Sequence, residues 1–326
     1  MRNLASIQRI IQIEDIPEAN NIVKAHVLGW QLVIKKGEFN IGDLCIYVEI
    51  DSILPDKEMF EFLRNKKFRI KTMKLRGQIS QGICFPLSFL PNAMEVKEGD
   101  DVTEAMEIIK YEPPIPACLS SVMKGNFPSF IPKTDETRVQ ILQKLLNEHV
   151  GKPCYITEKL DGSSVTYYLK DEVFGVCSRN MDLLESSDNT YWKIARQLDI
   201  ENKLRMLGKN LAIQGELVGE GIQGNKLKLK GQTVYFFNVF FIDEYRYAEY
   251  AEWLGMLAHL GLSSVPILNE AYKLENNMDA ILKLSNRRST IQQEAMAEGI
   301  VIRLIKEGEM VSFKAISNEF LLKYGE

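Results

Sequence analysis

Residues 158–164 read Glu158-Lys159-Leu160-Asp161-Gly162-Ser163-Ser164, and the lysine decides how the rest of the chain is read. A β-like run, Cys154 to Glu158, leads into it; Asp161-Gly162 supplies a tight turn, and a second β-like run, Ser164 to Leu169, follows. A lysine at a strand end with a carboxylate two residues on suits covalent catalysis through a Lys–NMP phosphoramide, formed when the amine attacks an α-phosphate. Only the neutral amine attacks. From a reference pKa of about 10.4, deprotonation costs about 4–5 kcal/mol at pH 7 unless nearby cations lower it. Positive charge is therefore expected near Lys159. The same residues also fit a plain Asp-Gly hairpin with a solvated lysine, and the downstream sequence separates the two readings.

The 326 residues have room for two domains, each with its own core. A hydrophobic content of 45% and a charged content of 26% are those of a soluble globular protein, and no apolar stretch reaches the length of a membrane span. The first ten residues, MRNLASIQRI, lack the apolar core of a signal peptide, so secretion is not expected. Cys45, Cys84, Cys118, Cys154 and Cys177 are scattered and odd in number. They read as buried thiols in a reducing, intracellular compartment, not as a disulfide framework or a zinc site. His26, His149 and His259 stand alone and are expected to be structural. A net charge of −4 argues against general coating of nucleic acid but permits a local basic patch.

Up to about residue 110, short β-like runs alternate with turn signals. Strands are expected at Ile22–Val27, Trp30–Ile34, Leu44–Ile50 and Lys67–Met73, which indicates a small β-barrel of the oligonucleotide-binding (OB) type. Residues 111–132 hold five of the eleven prolines and read as a linker. After it, residues 133–151 read as an amphipathic helix with Thr134 or Asp135 as N-cap and Gly151 as its end. Strands and helices then alternate without a Rossmann repeat or P-loop, with helices expected over Thr190–Leu207, Ala248–Leu260 and Met278–Leu284. The expected fold class is α+β, with domains at 1–110 and 133–326.

Four downstream segments supply what chemistry at Lys159 needs. Ser178-Arg179-Asn180 ends a strand with hydroxyl, guanidinium and amide groups suited to ribose and phosphate. Glu216 ends an apolar strand before the glycine-rich run GEGIQGN and suits ribose hydroxyls or hydrated Mg²⁺. In the run 235–243, YFFNVFFID, the strand period puts Phe236, Asn238, Phe240 and Ile242 on one face, from which an aromatic could stack on a purine. Glu298 suits a metal, and Lys314 suits the α-phosphate, with its charge expected to depress the Lys159 pKa.

In this order the segments resemble the covalent nucleotidyltransferase superfamily of ATP-dependent DNA and RNA ligases and mRNA-capping guanylyltransferases. EKLDG resembles motif I, SRN motif Ia, GELVG motif III, FFNVFFID motif IIIa, EGIVIR motif IV and VSFK motif V. With the barrel first and only twelve residues after Lys314, the chain resembles ATP-dependent RNA ligases with an N-terminal OB domain. A capping-type guanylyltransferase using GTP would be expected to carry its OB domain after motif V. The resemblance implies an ATP-grasp-like/ligase nucleotidyltransferase domain of antiparallel sheets with flanking helices. It makes Lys159 the nucleophile, puts Glu216 on ribose and the metal's water shell, and stacks Phe240 on adenine. Asp161, Glu216 and Glu298 would hold Mg²⁺ or Mn²⁺ largely through water. Glu158, Leu160, Arg138, Arg179, Asn180 and Lys314 would complete the ATP site. One departure stands out: motif V of RNA ligases is usually KxK, and here it is Ser312-Phe313-Lys314. A nucleic-acid-binding protein with a decayed nucleotidyltransferase domain draws its support from that serine.

The implied partner is RNA with a nick or break, possibly in a duplex, with no membrane and no obligate protein partner. Lys67, Arg69, Lys71, Lys74 and Arg76 form its expected footprint, the first three sharing a strand face, and Phe62 and Phe68 are placed to stack on bases.

Overall fold

Alternating burial along Ile22–Val27 and Trp30–Lys35 makes these runs an antiparallel pair with one face to a core. The computed structural model, which describes residues 3–91, 94–112, 123–304 and 311–324, extends them into a five-stranded antiparallel sheet. Its order is Trp30–Lys35, Ile22–Val27, Ala5–Asp15, Leu44–Val48, Ile83–Phe85. Ala5–Asp15 is shared: its first half pairs with Leu44–Val48 and its second, past a bulge at Ile10/Gln12, with Ile22–Val27. Such sharing curls a sheet towards a barrel. The hairpin Met73–Leu75/Gln78–Ser80 adds to the Trp30–Lys35 side, where Gln31 Nε2 donates to Ile79 O at 3.0 Å. Ile7, Ile10, Trp30, Leu32, Tyr47 and Phe60 fill the interior. Gly82 is required there, because a Cβ would lie 2.5 Å from the Tyr47 ring.

The strand expected at Lys67–Met73 does not form. A 3-10 helix, Glu58–Lys66, ends at Lys67, and both Lys67 and Phe68 adopt left-handed φ of 54° and 57°. Phe68 is buried in the barrel core, so it is not a stacking platform; Phe62 is 58% exposed. The alternation survives without the strand, since Phe68, Ile70 and Thr72 are buried while Lys67 and Lys71 are exposed. Arg69 is engaged within its own unit, pairing with Asp51 at 2.8 Å and lying 3.4 Å over the Tyr111 ring.

The chain divides into two compact units, Met1–Pro114 with Val139–Gln143 and Leu321–Glu326, and Ile115–Arg138 with Lys144–Phe320. The second holds two sheets. A seven-stranded antiparallel sheet runs Met123–Asn126, Met181–Leu183, Val173–Cys177, Ser163–Lys170, Leu211–Gly219, Gln232–Phe241, Arg246–Tyr247. A five-stranded sheet runs Thr137–Arg138, Ser312–Ile316, Gly299–Leu304, Pro153–Lys159, Ile267–Lys273, with Thr137–Arg138 parallel to its neighbour. Helices Thr190–Gln197, Ile200–Met206 and Tyr250–His259 bury Trp192, Leu204 and Trp253 in one core with Tyr167 and Phe236.

Three further expectations are corrected here. Of the linker 111–132, residues 113–122 lie outside the described residues and Met123–Asn126 is an edge strand. The helix expected from Thr134 is confined to Gln143–His149. Its first part bonds elsewhere: Thr137–Arg138 pairs with Phe313 and Lys314, and Gly29 N donates to Gln140 O at 2.8 Å. The helix expected over Thr190–Leu207 is two, broken where Asp199 takes φ 52°. Helices at Tyr250–His259 and Met278–Ser285 form within two residues of the expected bounds.

Candidate active site

Lys159 is the last residue of its strand, paired with Gly299, and the chain then crosses from the five-stranded sheet to the seven-stranded one. Leu160-Asp161-Gly162 is therefore a link between two sheets, not a hairpin turn. Gly162 permits the crossing: a Cβ there would lie 2.4 Å from Leu217 O and 2.8 Å from Glu216 Cγ. The same close approach brings Glu216 beside Asp161 and Lys159. Glu298 arrives from the residue before the neighbouring strand, and Lys159 Nζ donates to its Oε2 at 2.5 Å.

Burial alone would push the Lys159 amine down, but the carboxylates of Glu298, Glu216 and Asp161 outweigh it and hold the amine above its ordinary value. The expected depression by Lys314 is thus reversed. Lys314 is the amine that falls, to about 8, through burial first and then repulsion from Lys159 and Arg138. Glu216 rises to about 8 because it is buried and faces Glu298 and Asp161, with Lys159 opposing. Crowded carboxylates of this kind fit a divalent cation. Among the described residues no three acidic, His or Cys side chains converge at direct-ligand spacing, so Asp161, Glu216 and Glu298 would hold an ion through water.

Cations gather beside these carboxylates. Lys314 Nζ lies 3.6 Å and Arg179 Nη2 3.4 Å from Asp135 Oδ1, and Arg138 is the strand partner of Lys314. Asp135, expected only as a helix cap, is the anion these cations share, and a polyphosphate would engage the same groups. Asn180 accepts from Lys133 Nζ at 3.2 Å.

The aromatic assignment changes. A bulge in Gln232–Phe241 opposes Gln214 to Asn238 and Gly215 to Phe236, leaving Phe237 as the extra residue. Phe236 and Phe240 consequently lie on opposite faces, each fully buried in a different core. Phe240, packed on Tyr245 and Tyr247 with ring centroids 5.3 and 5.0 Å away, has no face left for adenine. Phe237 is half-buried, with Tyr235, against the cluster of Leu160, Val218, Leu227, Val265 and Ala295, and Leu160 follows Lys159 in sequence. Arg303 fixes the bulge. Its guanidinium, 2% exposed, donates to Phe237 O at 2.8 Å, to Ser312 Oγ at 3.1 Å and to Glu136 Oε1 at 3.3 Å. Glu158 is also held, accepting from Ser289 Oγ at 2.5 Å and Thr290 N at 2.7 Å.

Sequence reasoning missed Asp135, Lys226, Phe237 and Arg303. Phe237 lies inside the motif IIIa run and Arg303 inside the motif IV run, and Lys226, whose Nζ lies 3.1 Å from Asp161 Oδ2, directly follows the glycine-rich run.

Two family models match the chain: an OB-fold domain at residues 4–87 and RNA ligase at residues 152–317. No curated protein sequence matches. Among solved structures, Naegleria gruberi RNA ligase with PPi is 40% identical, with a TM-score of 0.89 and 98% of each chain covered. A mutant of that ligase with ATP and Mn has the same identity and coverage and a TM-score of 0.90, as does a mutant with AMP and Mn. With the ligase model spanning the segment from before Lys159 to beyond Lys314, and this identity over nearly the whole length, the chain belongs to the RNA ligase family.

Proposed function

We propose that this enzyme uses ATP to join an RNA 3′-hydroxyl to a 5′-phosphate through an adenylate on Lys159. The observation that carries the reading is Lys159 itself, held at the sheet crossover against Glu298 with Glu216 and Asp161 around it. Neutral Nζ attacks the α-phosphorus, the bond to the β-phosphate oxygen breaks, and pyrophosphate leaves. Lys314, Arg179 and Arg138 face the charge on the phosphates, and Phe237 lies under the base. The 5′-phosphate oxygen of the RNA then takes the AMP from Lys159, and the 3′-hydroxyl displaces AMP to close the strand.

Mg²⁺ or Mn²⁺, held through water by Asp161, Glu216 and Glu298, would offset the carboxylate charge that now keeps Lys159 protonated and the charge developing on the α-phosphate. Ser312 does not argue for decay. It accepts from buried Arg303, and a lysine in its place would face that guanidinium.

RNA would lie on the first unit along the exposed Lys67, Lys71, Lys74 and Arg76, with Phe62 offering a ring for stacking. The buried free thiols Cys45, Cys84, Cys154 and Cys177 support a reducing, intracellular compartment.

The test is label transfer. Wild type with a divalent metal and α-labelled ATP is expected to form a covalent adduct, GTP to give none, and Lys159→Ala to fall to background while still binding RNA. A GMP adduct without an AMP adduct would point to a capping-type transferase instead. Sealing across nicked RNA–RNA, RNA–DNA and DNA–DNA duplexes then defines the substrate.

A further inference from the structure

The loop between Leu211–Gly219 and Gln232–Phe241 is rich in glycine yet firmly stitched. Asn225 bonds both backbone groups of Leu229, at 2.9 and 3.0 Å, and Gln232 Nε2 donates to Glu220 O at 2.7 Å. The loop so held presents the dipeptide Lys226-Leu227. Lys226 Nζ lies 3.1 Å from Asp161 Oδ2, with the two side chains 13% and 10% exposed. The same ammonium sits 5.1 Å from the centre of the Phe320 ring. Leu227, 3% exposed, packs in the cluster that contains Leu160. Two consecutive loop residues therefore grip the two residues that follow Lys159.

We propose that Lys226 is a positioning residue for the adenylylation step, holding the Asp161 carboxylate in place and balancing its charge in the nucleotide-free enzyme. The proposal rests on the ligase reading above. A loop lysine gives up rotamer freedom and hydration when it is buried, and here the Asp161 carboxylate and the Phe320 ring face offset part of those losses. Three carboxylates surround Lys159, and Lys226 offsets the charge of the one that follows it most closely in sequence. A divalent cation drawn to this site has to share Asp161 with the ammonium. Lys226 thus weakens metal uptake before nucleotide arrives while keeping the carboxylate aimed.

The experiment compares full-length wild type, Lys226→Met and Lys226→Arg, with Lys230→Ala as an exposed control on the same loop. Adduct formation from labelled ATP is measured alongside Mn²⁺ affinity of the nucleotide-free protein by electron paramagnetic resonance. Lys226→Met is expected to slow adduct formation about tenfold to a hundredfold with little change in KM for ATP. It is also expected to bind Mn²⁺ several-fold more tightly, because a competing charge is gone. Lys226→Arg should return both values towards wild type, and Lys230→Ala should change neither. Unchanged or weaker Mn²⁺ binding by Lys226→Met overturns the proposal, as does an arginine variant as slow as the methionine one. A wild type that forms no adduct defeats the ligase reading, and the Mn²⁺ measurement still decides the role of Lys226.

Discussion

Burial acts on Glu216 and Lys314 in the same sense, raising the carboxyl to about 8 and lowering the amine to about 8. For Glu216 this has a measurable sign. Its ordinary value is 4.5, so between about 4.5 and about 8 the folded protein keeps a proton that the unfolded chain has released, and stability falls as pH rises through that window. Glu216→Gln keeps the shape of the protonated acid without the ionisation. In metal-free buffer its melting temperature should gain on wild type from about pH 5 to about pH 8 and level off above that; a difference independent of pH would contradict the assignment. Lys159, Asp161, Glu216 and Glu298 were legible through the order of the motifs that carry them, since each strand-end charge taken alone also fits a solvated turn. Asp135 and Lys226 were not, since their partners lie far away in sequence and nothing local marks either as more than a helix cap or a loop charge.

At the scale of elements, one inserted residue in Gln232–Phe241 sets which aromatics face the cluster around Leu160. Period-2 reading placed Phe236 and Phe240 together, and the bulge at Phe237 separates them. No glycine announces the bulge; it is held by Arg303 on another sheet. Phe237→Ala should weaken ATP binding roughly tenfold to a hundredfold, the loss expected for one stacked base. Phe240→Leu should lower thermal stability and leave ATP affinity close to wild type; the reverse pattern would restore the face read from the sequence. The crossover is equally sharp. Gly162→Ala forces a Cβ to 2.4 Å from Leu217 O, whereas at Gly125 a Cβ meets nothing within 4 Å. Thermal melting should drop by several degrees for the first and hardly move for a Gly125→Ala control. The barrel strands Ile22–Val27, Trp30–Lys35 and Leu44–Val48 and the helices Tyr250–His259 and Met278–Ser285 were legible from periodicity. The segment 134–141 was not, because helical propensity there loses to a parallel strand pair with Phe313 and Lys314.

For the whole molecule, the proposed function assigns RNA gripping to the first unit and adenylylation to the second. Replacing Lys67, Lys71, Lys74 and Arg76 by Ala should flatten the salt dependence of RNA binding by as much as about 3 in slope, at about 0.7–0.9 for each phosphate no longer neutralised. An unchanged slope would move the gripping surface elsewhere. Adduct formation, which needs no RNA, should be unaffected by the same changes. The covalent step itself is the central claim. Proteolysis and mass spectrometry of wild type incubated with ATP and Mg²⁺ should place AMP on the peptide containing Lys159 and on Nζ of that residue. AMP on any other side chain, or efficient sealing of RNA by a Lys159→Ala protein supplied only with ATP and an unadenylylated strand, would contradict it.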